Sequence, residues 1–88
     1  MFRTSARKRA LFRQVNKRIC DVSASAGPAD TYELVCECGD TNCRHHVVVP
    51  ADVYDGAVRN GRRYLVAPGH ELPWETVVGQ GTTYCVVA

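Results

Sequence analysis

The sequence lacks a long apolar run, and it lacks any acidic residue among its first 20 positions. No stretch approaches the roughly 20 apolar residues that a membrane-spanning helix needs, so no membrane span is expected. The first nine residues are basic and polar rather than apolar like a secretory signal, which favours a cytoplasmic protein. The chain also lacks the His-x-Glu and Pro-Cys-x-x-Cys segments of zinc deaminases, which argues against that enzyme class.

The size of the chain limits how much of its stability can come from a hydrophobic core. With 88 residues there is room for one small domain, and domains of this size often need a metal or disulfides in addition to their core. Five cysteines are present, an odd number that cannot all pair within the chain. In a reducing cytoplasm, clustered thiols favour a metal over disulfides.

Three of the cysteines, Cys36, Cys38 and Cys43, fall within eight residues around a Gly-Asp-Thr-Asn turn. Thiols this dense predict most of a tetrahedral Zn²⁺ site that still lacks its fourth ligand. His70 is the favoured candidate, because a Pro-Gly-His turn can aim an imidazole at a neighbouring hairpin and would close a long loop. His46 is the alternative, since it would complete a wholly local site, and a further cysteine or a water is the remaining choice.

The hydrophobic pattern predicts an α+β fold made of an N-terminal helix, a zinc-bearing β-hairpin, a short helix and a small antiparallel sheet. The helices are predicted over 8–23 and from Pro50 to Gly61. The strands are predicted over 31–38, 46–49, 64–66, 76–78 and 84–87. Small residues and breakers over 23–30 predict a linker, which divides the chain into a basic helix with its linker (1–30) and a zinc-binding α+β domain (31–88).

The first helix carries its charge and its apolar residues on opposite faces. The first 20 residues hold seven basic side chains, whereas the rest of the chain holds four basic and all nine acidic ones. At about 100° per residue an apolar stripe forms, made of Leu11, Val15, Ile19 and Val22. Such a helix is expected to dock this stripe on another surface, and the linker leaves open whether the helix packs on its own domain or remains a detachable arm. Arg9, Arg13 and Lys17, roughly opposite, are then expected to face solvent and to contact a partner or nucleic acid.

Two other side chains carry expectations of their own. Cys20 lies near the basic side of the first helix, so it is expected to be an exposed thiol. Trp74 follows Leu-Pro in a loop and is expected to cap the core beside the metal, with a partner contact as the alternative.

Several of these segments together resemble a family of small, largely uncharacterised bacterial proteins that are common in actinobacteria. The matching segments are a Leu-Phe-Arg-x-Val-Asn-x-Arg-Ile helix (11–19), Cys-Glu-Cys-Gly-x-x-x-Cys (36–43), a Tyr-x-x-Val-Arg helix (54–59, with one extra residue here), a strand and turn ending in Val-Ala-Pro-Gly-His-Glu (64–71), and an apolar hairpin (76–87). The resemblance implies that Cys36, Cys38, Cys43 and His70 are shared potential metal ligands, and it supplies no activity. Lys17 and Thr76 depart from the family pattern, which has an acid and an arginine at those positions.

These features together favour a small zinc-stabilised regulatory or adaptor module rather than an enzyme. A closed set of four ligands leaves no open position for chemistry. The expected partner is therefore a protein, with no membrane and no small-molecule substrate. Nucleic-acid binding through the basic helix is the alternative, although no recognised base-reading motif is present.

Overall fold

The computed structural model describes residues 5–27 and 30–88, and these residues form an α+β arrangement of two helices and five strands. In chain order the elements are α1 (Ala6–Ser25), β1 (Thr31–Val35), β2 (His46–Pro50), α2 (Ala51–Asn60), β3 (Tyr64–Val66), β4 (Val77–Gln80) and β5 (Cys85–Val87). The predicted fold class is confirmed. Arg3 of the basic segment, and Pro28 and Ala29 of the predicted linker, lie outside the described residues. No helix in the described part of the chain is long and apolar enough to cross a membrane.

β1 and β2 form an antiparallel hairpin in which Thr31 lies opposite Pro50 and Val35 opposite His46. Alternation along the strands buries Leu34 and Val47 and leaves Val48 exposed, so one face of the hairpin lines the core. β1 ends at Val35, three residues earlier than predicted. The three thiols therefore lie in the connection between the two strands rather than on a strand.

The second sheet has the antiparallel order β3-β5-β4, with Val66 opposite Cys85 and a register shift between Val77 and Gly79. α2 connects the two sheets and buries Tyr54 and Ala57 between them. The helix ends at Gly61, whose φ of 79° places it in the left-handed region that favours glycine at this position. β5 is buried along its whole length because it is the central strand.

α1 packs against β1 through a buried asparagine. Asn16 has no exposed surface, and its side chain pairs with the backbone of Val35: Nδ2 donates to the Val35 carbonyl at 2.9 Å, and Oδ1 accepts from the Val35 N–H at 2.8 Å. Nδ2 also donates to Oε2 of Glu37 at 2.7 Å. The amide thus occupies the place of a neighbouring strand, because β1 has β2 on one edge and the helix on the other.

The sequence left open whether the apolar stripe of α1 docks on its own domain, and most of the stripe does not. Leu11, Val15 and Val22 are 54%, 38% and 63% exposed, and within the stripe Ile19 packs partly against the core. Arg9 and Arg13, expected to face solvent, instead point toward the domain, whereas Lys17 is exposed as expected. Cys20 and Trp74 also differ from expectation, since Cys20 is 7% and Trp74 69% exposed.

The reason for this orientation is the open edge of β1. A buried strand edge leaves backbone N–H and C=O groups that must find partners, and an apolar stripe cannot provide them. Asn16 can, because a carboxamide offers both a donor and an acceptor. The requirement to pair the Val35 backbone therefore outweighs the burial of a few aliphatic side chains.

We predict that Asn16→Ala destabilises the metal-loaded protein by about 2–4 kcal/mol. The substitution leaves the N–H and C=O of Val35 and one oxygen of the buried Glu37 carboxylate without their partner. Gln14→Ala on the exposed side of the same helix is the matched control and should change the free energy of unfolding by less than about 0.5 kcal/mol. Urea unfolding followed by circular dichroism measures both. Equal unfolding free energies for the two variants would contradict the role assigned to Asn16.

Candidate metal centre

The four side chains Cys36, Cys38, Cys43 and His70 come together at one point. Their ligand atoms all lie within 4.8 Å of one another, and this group could hold a metal ion. Nδ1 of His70 lies 3.6 Å from the Sγ atoms of both Cys36 and Cys43. The three thiols are buried, and the histidine is half-buried at the rim. The predicted ligand set is therefore brought together by the fold.

Cys36 lies at the junction between the two sheets. Its N–H donates to the His45 carbonyl at 3.0 Å, which continues the hairpin, and its Sγ accepts from the Ala67 N–H at 3.2 Å on the other side. The next residue, Glu37, donates its N–H to the Leu65 carbonyl at 2.9 Å. The first ligand is thus fixed by backbone contacts to both sheets.

Cys38 and Cys43 are placed by a tight turn. Gly39 follows Cys38 with a φ of 78°, a left-handed conformation that bends the chain back. Asp40 then closes the turn, since its carboxylate accepts from the Asn42 N–H at 2.8 Å and its carbonyl from the Cys43 N–H at 3.1 Å. The Gly-Asp-Thr-Asn segment therefore returns the third thiol to the first two.

His70 is delivered by a four-residue turn that begins at Ala67. Its N–H donates to the Ala67 carbonyl at 3.0 Å, and Gly69, the third residue of the turn, has a φ of 87°. A positive φ at that position with Pro68 before it defines a type II turn, for which Pro-Gly is the favoured pair. Because Ala67 also contacts the sulfur of Cys36, the turn is anchored at the metal group itself.

The other two histidines lie outside the cluster. His46 is on the exposed side of the hairpin, where its Nδ1 lies 3.3 Å from Oε1 of Glu33. His45 packs edge-to-face on the His70 ring, with ring centroids 4.6 Å apart. His46 therefore lies away from the three thiols. His45 packs against the ring of His70, the imidazole that lies among them.

Burial changes the chemistry of the thiols. Loss of hydration raises the pKa of Cys36 and of Cys38, so that without a metal both stay protonated at neutral pH. A bound metal ion reverses this preference, because thiolates are the ligating form and their protons leave when the ion binds. The site is therefore suited to a cation that can displace protons from sulfur.

α1 contacts the opposite side of the segment 36–43, here called the ligand loop. The Ser5 N–H donates to the Gly39 carbonyl at 2.8 Å, and Arg9 Nε donates to the Glu37 carbonyl at 2.8 Å. Lys8 Nζ donates to the carbonyls of Asp40 and Cys43. Four carbonyl oxygens of the ligand loop thus point at the first turns of α1, and the conformation of the loop and the docking of the helix depend on each other.

Glu37 and Glu75 complete this contact, and the sequence-based predictions missed both. The Glu37 carboxylate accepts from Asn16 and from the Leu65 N–H at 3.0 Å; burial raises its pKa, and these hydrogen bonds oppose the rise. Glu75 forms an ion pair with Arg9, in which both side chains are nearly buried, and accepts from the Leu72 N–H at 2.9 Å. The sequence did offer a signal for Glu37, because it is a charged residue placed between two predicted metal ligands.

The three residues that were predicted to contact a partner differ in how they are placed in the structure. The Cζ atom of Arg9 lies 3.8 Å from the centre of the Tyr64 ring. The guanidinium of Arg13 lies over the same ring and donates a hydrogen bond to the Arg63 carbonyl. Both arginines therefore make their contacts within the chain, and of the three residues only Lys17 is exposed to solvent. Cys20, buried against Tyr54, has its pKa raised to about 11 by burial and is an unreactive core thiol.

Comparison with known proteins gives no further guide: no family model, no curated protein and no solved structure matches this chain. The resemblance to the actinobacterial family stays a prediction. Function is therefore argued from the site and the surface of this chain.

We predict that His70→Ala weakens zinc binding at least a hundredfold, whereas His46→Ala leaves it unchanged. Removing a residue that only supports a ligand costs about 10–100-fold in metal affinity, and losing the ligand itself costs more. Competition with a chromophoric chelator and elemental analysis of the purified variants measure this. Metal lost from His46→Ala but kept by His70→Ala would overturn the ligand assignment.

Proposed function

We propose that this protein is a small zinc-stabilised adaptor module, whose metal is structural and which acts by binding a protein partner. The observation that carries the proposal is the closed Cys₃His group at the junction of the two sheets. Four protein ligands fill a tetrahedral shell, which is typical of structural zinc sites, whereas catalytic sites keep one position for water or substrate.

The distances within the group support zinc. With zinc–sulfur bonds of about 2.3 Å and zinc–nitrogen bonds of about 2.0–2.1 Å, tetrahedral geometry separates sulfur from nitrogen by roughly 3.5–3.6 Å. His70 Nδ1 lies 3.6 Å from two of the sulfurs. The soft donor set also favours zinc over magnesium or calcium, which prefer oxygen. The chemistry of the donor set and the two sulfur–nitrogen separations therefore both support zinc.

A structural role also explains where the ligands lie. They connect the hairpin to the turn after β3 in a chain whose core is small, and the three thiols are buried at this junction. Binding free energies of structural zinc reach about 10–16 kcal/mol in small zinc-finger peptides, which exceeds the stability of most small domains. All five cysteines lie in the described residues and are free, in keeping with a reducing cytoplasm.

Nucleic-acid binding through Arg9, Arg13 and Lys17 remains the alternative and has less support. A helix that binds a phosphate backbone needs several free cations. Of the three residues expected to do this, Arg9 and Arg13 are held by carbonyls, by Tyr64 and, for Arg9, by Glu75, which leaves Lys17 beside the exposed Arg7 and Arg18. Protein binding is favoured instead because α1 exposes aliphatic side chains, which match another protein better than they match phosphates.

Cobalt substitution tests whether the metal is structural. Co²⁺ in a closed site with three thiolates and one imidazole should give intense visible bands that do not change between about pH 6.5 and 9, or on addition of azide, because no coordination position is open. The His70→Ala variant is the matched control, since its vacated position should make the spectrum sensitive to both. If the spectrum of the natural sequence responds to azide, the metal centre is open and the structural role is wrong.

A further inference from the structure

The outward face of α1 carries a row of exposed aliphatic side chains. Leu11, Val15 and Val22 are exposed and lie, with the half-buried Ile19, within an arc of about 80° on the helix. This set, the α1 stripe, lies about a quarter-turn of the helix away from Ser5, Arg9 and Asn16, the residues that pack on the ligand loop and β1, and Lys8 reaches the ligand loop from its N-terminal end. Because Asn16 and Arg9 fix the orientation of α1, the stripe is held outward by the fold.

The shape of the stripe favours a helical partner. A hollow of about 380 Å³ on its C-terminal half is lined by Val15, Arg18, Ile19, Val22 and Ser23. The first four stand at positions i, i+3, i+4 and i+7, the four residues that surround one inserted side chain where two helices pack knobs-into-holes. Phe12 extends the row N-terminally, so that the spacing of Phe12, Val15, Ile19 and Val22 is 3-4-3, that of a coiled-coil seam. A neighbouring helix could therefore place an aliphatic side chain in this hollow.

The charges beside the stripe specify the chemistry of that helix. Arg7 and Arg18 lie along one side of the stripe and are exposed, and exposed Lys17 lies further round the helix. Asp21 is the one acidic residue in α1. A second copy of α1 would bring arginines against arginines, and a nucleic acid would leave the aliphatic side chains unmatched. An apolar seam flanked by acidic residues matches both features.

We propose that the α1 stripe binds an amphipathic helix of a partner protein whose apolar seam is flanked by aspartate or glutamate. This inference rests on the proposed adaptor function and names its surface. Leu11, Val15 and Val22 provide the apolar contact, and Arg18 selects the acidic partner. The metal acts indirectly, because the ligand loop sets which face of α1 points outward.

The test uses the full-length, zinc-loaded protein and two designed peptide helices of roughly three heptads each. Both peptides carry leucine at the seam positions, and they differ only in having glutamate or lysine at the flanking positions; like charges keep each from pairing with itself. Fluorescence anisotropy should show binding of the glutamate peptide and at least about tenfold weaker binding of the lysine peptide. Arg18→Glu should reverse this order, a response that general loss of folding does not produce.

Matched variants locate the contact. Leu11→Gln/Val22→Gln should weaken binding of the glutamate peptide at least about tenfold, because both side chains lie on the stripe and glutamine keeps the helix propensity. Val58→Gln removes an exposed aliphatic side chain from α2 and should leave binding unchanged. Circular dichroism and zinc content should be the same in all of these proteins.

Four results would overturn the proposal: equal binding of both peptides, unchanged binding by the stripe variant, tighter association with phosphatidylserine vesicles or duplex DNA than with the glutamate peptide, or a dimer in light scattering that the stripe variant dissociates. The last two would assign the stripe to a membrane or nucleic acid, or to a second copy. The cobalt spectra test the structural role of the metal separately. A wrong assignment of the binding surface can therefore be distinguished from a wrong assignment of the metal.

Discussion

The ligand loop at residues 36–43 is the constraint on which the rest of this structure depends. One side of it gathers the three thiols toward His70, and the other side presents carbonyl oxygens to α1. Between these sides, Cys36 and Glu37 hydrogen-bond to the hairpin and to β3. Because this segment makes contacts on all of these sides, it cannot change conformation alone. Whatever fixes the positions of the thiols therefore also fixes how the two sheets meet and how α1 docks. For a core this small, a metal at that junction is a more effective source of order than a few further aliphatic contacts.

Much of this arrangement could be predicted from the sequence, because its determinants are local. The period of two in Tyr32 to Val35, the Pro-Gly turn before His70 and the Gly after α2 each act within a few residues. Cysteine density alone indicated a metal, since three thiols within eight residues have few other uses in a reducing environment. His70 was preferred over His46 because a ligand in a distant turn closes a longer loop, and the cluster of ligand atoms contains His70.

The docking face of α1 could not be predicted in the same way. Amphipathicity located the helix but left open which of its faces packs on the domain, because it weighs burial of apolar area and ignores backbone groups elsewhere. The outcome depends on the open edge of β1 and on the one side chain, Asn16, that can pair with Val35. The buried arginines follow from it, since Arg9 finds a carbonyl, a carboxylate and an aromatic face on the same side. Recognising these pairings requires the sheet order, which one sequence does not supply.

We infer that a metal bound by Cys36, Cys38, Cys43 and His70 holds the ligand loop, and through it α1, in place. Hydrogen–deuterium exchange of the zinc-loaded protein, of the same protein after verified removal of zinc by a chelator, and of the reloaded protein tests this most directly. The amides of α1 and those of residues 65–67 should lose protection together when zinc is removed and regain it on reloading. Equal protection of α1 in protein shown to be free of metal would mean that the ligand loop does not depend on the ion, and would contradict this inference.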